Sequence, residues 1–168
     1  MRIVLLNLHG CGEKMSSKIV VVDDEVVILK AISRILQDEK DIDVEIYTHP
    51  TEALDHIGKK PVDIILADYR MPDMDGVEFL TRVREKDDKI VRIVMSGQAD
   101  LEALTRAIND ASIHKFLAKD FSPDKLINTI YDAIDFYEKS LVTNHLAEVG
   151  RREVVEPDSS ADRWLSSK

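Results

Sequence analysis

An apolar run that stops at an acidic residue is the sequence feature that most constrains the fold. Ile64–Ala67 is too short for a helix and is β-branched at its start, which predicts a fully buried strand of a parallel sheet. The strand ends at Asp68, and a turn through Asp75-Gly76 leads into apolar residues at helical spacing. Asp68 is therefore predicted to lie at the carboxyl edge of an open α/β sheet, where ligands bind.

A second short strand ends in the same way. Lys18–Val22 is followed by Asp23-Asp24-Glu25, and neighbouring strands would bring these carboxylates close to Asp68. Like charges at close range raise each other's pKa unless a cation compensates, and Mg²⁺ is a hard cation that prefers oxygen ligands. A single strand-end aspartate more often caps a helix or forms a turn. The two strand ends together indicate a metal-assisted phosphoryl site.

Strands and helices alternate along the whole chain, which predicts βαβ units. Strands are predicted at residues 18–22, 44–48, 64–68, 90–95 and 115–118, each followed by a helix. Right-handed crossovers then give an α/β fold, a flavodoxin-like doubly wound five-stranded parallel sheet of order 2-1-3-4-5. The last helix begins at Ser122-Pro123, and its heptad-spaced apolar residues fit either a core face or a coiled-coil seam that fades at Asn144.

Length and composition favour one domain with its own core. The 168 residues divide into an N-terminal extension (1–17), a domain (18–141) and a polar, flexible tail (142–168). A net charge of -9 argues against direct nucleic acid binding. The lone Cys11 fits a reducing cytoplasm, and the apolar N-terminal residues are far fewer than a membrane span requires. The five histidines lack metal-ligand spacing and are interpreted as surface or filler positions.

Four motifs resemble the receiver domain of bacterial two-component response regulators. They are Ile19–Glu25 (IVVVDDE), Ile65–Gly76 (ILADYRMPDMDG), Ile93–Gly97 (IVMSG) and Lys115–Lys119 (KFLAK), and they follow the order and rough spacing of that family. The resemblance implies a signalling domain rather than a turnover enzyme. Such a domain accepts a phosphoryl group from a histidine kinase or a phosphotransfer protein and switches an output partner.

The resemblance also implies roles for the acidic residues. Asp68 would be the phosphoacceptor, attacking phosphorus to form an aspartyl phosphate. Mg²⁺ would be bound by Asp24, Asp68 and the backbone carbonyl of Arg70, with Asp23 acting mainly through a bound water. Ser96, at the end of the fourth strand, would donate to a phosphoryl oxygen. Lys119, at the end of the fifth strand, would supply a cation.

Further residues would control the output and the lifetime of the phosphoryl group. Ser96 and Phe116 would link the site to a face formed by the fourth helix, the fifth strand and the last helix, which would also serve a homodimer. Phe116 lacks the tyrosine hydroxyl, so it would switch by packing alone. Arg70 and Gln98 would flank the path of the hydrolytic water, Arg70 blocking it and Gln98 holding the water.

One position departs from the family pattern. The family lysine is usually followed by proline through a cis peptide, but here the pair is Lys119-Asp120. A cis bond without proline costs about 2.5–4 kcal/mol. Either this peptide is cis or Lys119 reaches the site by a different path.

Three other functions fit parts of the pattern. A Mg²⁺-dependent phosphatase of the haloacid dehalogenase type would need an acid two residues after Asp68, where Arg70 stands. A flavin-binding module would need a phosphate-binding loop after the first strand, where Asp23-Asp24-Glu25 would repel phosphate. A pseudo-receiver scaffold would not need the full acidic set.

Overall fold

The computed structural model describes residues 16–97 and 111–152. Its five strands form one parallel sheet of order β2-β1-β3-β4-β5, which confirms the predicted order. The strands are β1 (Ser17–Val22), β2 (Ile42–Tyr47), β3 (Ile64–Asp68), β4 (Val91–Ser96) and β5 (Lys115–Ala118). The helices described are α1 (Val26–Leu36), α2 (Pro50–Ile57), α3 (Gly76–Lys86) and the C-terminal helix (Pro123–Arg152).

Alternate residues of the central strands pack into two separate cores, one on each face of the sheet. In β3, Ile65 and Ala67 face α2 and α3, whereas Ile64 and Leu66 face α1 and the C-terminal helix. All four side chains are fully buried. A strand covered on both faces needs an apolar residue at every position, which explains why this run carries no polar residue before Asp68.

The C-terminal helix begins as the sequence predicts and continues beyond the predicted end of the domain. Ser122 Oγ caps its first turn by accepting the Lys125 N–H at 3.2 Å. Ile130 and Ile134 are buried in the core, while Leu141 and Leu146 are 40% and 65% exposed, so the apolar face leaves the core after the first half of the helix. The helix runs to Arg152, into the segment predicted as a flexible tail. Within the described residues, no helix is long and apolar enough to cross a membrane.

A buried arginine lies near the amino end of the sheet, on β4. The guanidinium of Arg92 donates to four backbone carbonyls at 2.8–3.2 Å, those of Asp88, Ile90, Ala111 and Ser112. The Arg92 N–H donates to Nδ1 of His114 at 3.0 Å, and the His114 ring lies 4.9 Å from that of Phe136. The interpretation of the histidines as surface or filler positions is therefore wrong for His114, which accepts a specific hydrogen bond.

Candidate functional site

The register of the sheet brings the predicted site residues to one edge. Val22 pairs with Ala67, so the next residues, Asp23 and Asp68, end adjacent strands side by side. On the other side of β3, Asp68 pairs with Met95 of β4. The next residue of β4 is Ser96, which ends that strand. Parallel strands share one carboxyl edge, and the predicted convergence of these residues is a direct consequence.

Asp23, Asp24 and Asp68 form a compact acidic cluster. Each offers a carboxylate oxygen, and the three oxygens lie within 4.8 Å of one another. Asp23 is fully buried and Asp68 is 3% exposed, whereas Asp24 is exposed. The Glu25 N–H fixes Asp23 by donating to its Oδ1 at 2.8 Å.

Lys119 reaches this cluster without the proline of the family pattern. The described residues contain no cis peptide, so the Lys119-Asp120 bond is trans. The Lys119 N–H donates to the Ser96 carbonyl at 2.9 Å, which extends the β4–β5 ladder by one residue and fixes the backbone. Nζ of Lys119 lies 3.0 Å from Asp23 Oδ2 and 3.1 Å from Asp68 Oδ1. It also donates to Glu25 Oε1 at 2.9 Å.

Burial dominates the electrostatics of the two inner carboxylates. It raises the pKa of Asp23 above its ordinary value by more than the Glu25 N–H and the Lys119 ammonium lower it. Burial likewise raises the pKa of Asp68, assisted by the neighbouring charge of Asp23 and opposed by Lys119. Burial lowers the pKa of Lys119, but its carboxylate partners outweigh this effect and leave that pKa raised. The lysine is therefore held as an ammonium between the carboxylates.

The donor set fits a divalent cation. Three carboxylates (Asp23, Glu25 and Asp68) contact one ammonium, and Asp24 belongs to the same acidic cluster, so the site carries excess negative charge. Oδ2 of Asp23 is buried and, within the described parts of the chain, has no aligned hydrogen-bond donor. A hard cation with oxygen ligands would compensate both features. Asp23, Asp24 and Asp68 are the residues that would hold it.

Gly76 is required by the close approach of α3 to the end of β3. A Cβ at this position would lie 2.1 Å from the Asp68 carbonyl oxygen, and the Gly76 N–H donates to the Tyr69 carbonyl at 2.9 Å. None of the described glycines has a positive φ. Space rather than turn conformation explains the glycine, while Asp75 caps α3 by accepting the Glu78 N–H at 2.8 Å.

The remaining predicted residues are placed unequally. Ser96 is buried and 1% exposed at the end of β4, and its Oγ donates to the Gly97 carbonyl at 3.4 Å. Arg70 is exposed, and its N–H bonds the Asp68 carboxylate and helps to lower the pKa of that group. Phe116 is 40% exposed on the edge strand β5. Gln98 and the predicted fourth helix lie outside the described residues.

Comparison with known proteins identifies the family to which this site belongs. The sequence matches the response regulator receiver domain over residues 19–131. The chain belongs to the response regulator receiver family. It is 40% identical over 117 residues to the hydrogenase transcriptional regulatory protein HoxA of Cupriavidus necator. It is 28% identical over 119 residues to the DNA-binding transcriptional regulator NtrC of Escherichia coli.

Solved structures show the same fold. A CheY-like receiver domain protein from Methanospirillum hungatei matches with a TM-score of 0.70 and 30% identity, covering 74% of this chain and 98% of that one. The beryllofluoride-activated NtrC4 receiver domain dimer matches with a TM-score of 0.66 and 32% identity, covering 71% and 98%. The matches to HoxA and NtrC cover 70% and 71% of this chain but only 24% and 25% of those relatives. The chain therefore corresponds to about a quarter of the length of each relative.

Two contacts of the receiver were not predicted. Glu25 ends the motif Ile19–Glu25, and the sequence assigns its side chain no role of its own. In the structure its carboxylate accepts a hydrogen bond from Lys119. Its position directly after the paired aspartates was the available signal. Arg92 gave a weaker signal, a lone cation within an otherwise apolar strand, and its four carbonyl partners come from segments that only the tertiary structure brings together.

Proposed function

We propose that this receiver is phosphorylated on Asp68 and switches an output partner. The observation that carries the proposal is the contact of the Asp68 carboxylate with Lys119 Nζ at 3.1 Å, beside the buried Asp23. A carboxylate oxygen of Asp68 attacks phosphorus of a phosphohistidine on a sensor kinase or phosphotransfer protein. The O–P bond forms as the N–P bond breaks, and the donor histidine recovers its nitrogen lone pair.

Side chains around Asp68 stabilise the transferred group. Lys119 and the Ser96 hydroxyl are proposed to donate to phosphoryl oxygens, where they would offset negative charge as it shifts. Asp23, Asp24, Asp68 and the Arg70 carbonyl would hold Mg²⁺. When bound, Mg²⁺ supplies a further positive charge to the phosphoryl oxygens.

Intact mass after incubation with acetyl phosphate and Mg²⁺ tests this proposal. One phosphoryl group should be added to the wild type, and EDTA or Asp68→Asn should abolish the addition. Asp73→Asn is the matched control, since it removes an exposed aspartate from the same loop and should leave the addition unchanged. Equal labelling of Asp68→Asn and wild type would refute the proposal, and repeated turnover of a phosphate ester would favour a phosphatase instead.

The output surface is assigned to the fourth helix, β5 and the C-terminal helix. Phe116 and Phe136 are 40% and 48% exposed on the two elements of this surface that the structure describes, and Ser96 pairs with Ala118 of β5. Beryllofluoride, standing in for the phosphoryl group, should shift amide signals there most. Larger distant shifts on α1 would contradict the assignment. The dimeric state of the activated NtrC4 receiver supports a homodimer through the same surface.

Arg70 is proposed to prolong the phosphorylated state. Its side chain is exposed beside Asp68, and its planar guanidinium could cover the line of attack of water. Gln98 is proposed to act in the opposite sense by holding that water. Loss of phosphate should be about threefold faster in Arg70→Ala and slower in Gln98→Ala. An Arg70→Ala protein as slow as the wild type would remove the blocking role.

The partners follow from the family and remain proposals. The relatives HoxA and NtrC are transcriptional regulators, so the output of this chain is proposed to control transcription through a partner or a further domain. The net charge of -9 is the ground for proposing that these residues do not themselves bind nucleic acid, whereas the relative NtrC is a DNA-binding regulator. A histidine kinase partner in the cytoplasm is proposed.

A further inference from the structure

Among the described residues, Lys119 has one carboxylate partner outside the inner pair of aspartates. Asp23 and Asp68 are buried beneath its ammonium, whereas the Glu25 side chain is 59% exposed and approaches Nζ at 2.9 Å. Lys119 itself is only 17% exposed. The lysine therefore lies between an inner pair of carboxylates and one outer carboxylate.

The side chain of Glu25 does not cap the helix that it begins. It is the N-cap of α1, but its side chain makes no capping hydrogen bond, and the first turn of that helix has no acidic residue. Its N–H instead fixes Asp23, and its carboxylate holds Lys119. The Glu25 carboxylate is therefore used on Lys119 rather than on the free N–H groups at the start of α1.

The inner pair cannot serve two cations equally well. The Lys119 ammonium lies 3.0 Å from Asp23 Oδ2 and 3.1 Å from Asp68 Oδ1, and both carboxylates belong to the cluster that would hold Mg²⁺. Two cations on shared ligands repel each other. Mg²⁺ binding therefore needs the ammonium to move from these oxygens. Glu25 is the partner that can keep the ammonium nearby when this happens.

We propose that Glu25 is a positioning residue that receives Lys119 when Mg²⁺ binds Asp23 and Asp68. This inference rests on the proposed function, because it concerns the cation that phosphorylation would use. Glu25 lowers the free-energy cost of separating the ammonium from the inner pair, and it keeps Lys119 close enough to meet the incoming phosphoryl group. Without Glu25, Lys119 competes with Mg²⁺ for both aspartates.

The experiment measures Mg²⁺ affinity calorimetrically in four proteins and one control. Glu25→Gln removes the charge but keeps the shape of the side chain, Lys119→Met removes the competing cation, and the double variant completes the cycle. Glu52→Gln is the matched control, an exposed acid in the first turn of α2 at the same edge of the sheet. Amide spectra of each protein without metal check that the fold is kept.

Glu25→Gln should weaken Mg²⁺ binding about fivefold, and Glu52→Gln less than about twofold. In the Lys119→Met background, the loss of Mg²⁺ affinity caused by Glu25→Gln should shrink to that of the control Glu52→Gln, because no ammonium is left to displace. An equal loss in both backgrounds, or a Glu25→Gln affinity like that of the wild type, would overturn the role of Glu25. A wild type that binds no Mg²⁺ would instead contradict the proposed function, so the two failures are distinguishable.

Discussion

The two edges of the sheet each bury charged groups, but they satisfy them differently. At the carboxyl edge three carboxylates (Asp23, Glu25 and Asp68) share one ammonium, with Asp24 in the same acidic cluster. Among the residues that the structure describes, the buried Oδ2 of Asp23 lacks an aligned donor. Near the amino edge one guanidinium meets four backbone carbonyls. The first arrangement leaves capacity for a ligand, whereas the second uses the donors of Arg92 within the protein.

The difference teaches where this receiver trades stability for function. Incompletely paired carboxylates destabilise the folded state by an amount that a bound cation would recover. The four hydrogen bonds from buried Arg92 to backbone carbonyls stabilise the junction between the α3–β4 loop and the segment before β5. Removing a buried charged group should therefore change stability in opposite directions at the two edges.

Loss of the arginine should have the largest effect. Arg92→Met keeps much of the side-chain volume but leaves four carbonyls without their donor, which should lower the free energy of unfolding by about 3 kcal/mol. Urea unfolding measures the change. The control Arg82→Met removes an exposed arginine paired with Glu78 and should cost less than about 0.5 kcal/mol. Equal costs for the two variants would show that the carbonyl contacts of Arg92 contribute little.

A side chain at Gly76 should be the most damaging change at the carboxyl edge. Gly76→Ala places Cβ against the backbone of Asp68, so α3 or the strand end must shift, at about 2 kcal/mol. Phosphorylation by acetyl phosphate should fall as well, because the phosphoacceptor moves. Gly58→Ala is the matched control, since its nearest heavy atom, Lys86 Nζ, is 3.6 Å away. A Gly76→Ala protein with normal stability and labelling would contradict this steric account.

The amino edge should become less stable in acid. Burial lowers the pKa of His114 from 6.5 to about 4, with the charge of Arg92 as a second cause. Between these values the unfolded chain binds more protons than the folded one, so stability falls as pH falls. Between pH 7 and pH 5 the wild type should lose about 2 kcal/mol more than His114→Asn, which keeps an acceptor for the Arg92 N–H. His145→Asn should behave like the wild type, and a His114→Asn protein with the wild-type pH profile would refute the assignment.

The carboxyl edge should respond to pH in the opposite sense, with a smaller effect. Because the pKa of Asp23 is raised from its ordinary 3.8, the folded state binds more protons above that value, and stability falls as pH rises. Asp23→Asn should therefore be more stable than the wild type at pH 8 in EDTA, and the gain should shrink as the pH falls. Mg²⁺ should remove the difference by stabilising only the wild type. A gain independent of pH would point to packing instead.

The fold and the inner acidic cluster were predictable from sequence because they depend on local pattern and sheet topology. A continuous apolar run specifies a strand buried on both faces, and parallel strands must end at one edge. Asp23 and Asp68 therefore converge once β1 and β3 are neighbours, as the register shows. Ser122 at the helix start is an equally local signal.

The contacts between distant segments were decided only by the tertiary structure. Lys119 enters the site through a trans peptide, and its N–H continues the β4–β5 ladder. The absence of proline after Lys119 does not by itself predict this path. Glu25 meets Lys119 across 94 residues of sequence, and Arg92 meets carbonyls on two separate loops. A sequence pattern encodes which face or edge a residue occupies, but partners fixed by the packing of several elements have no local period from which to predict them.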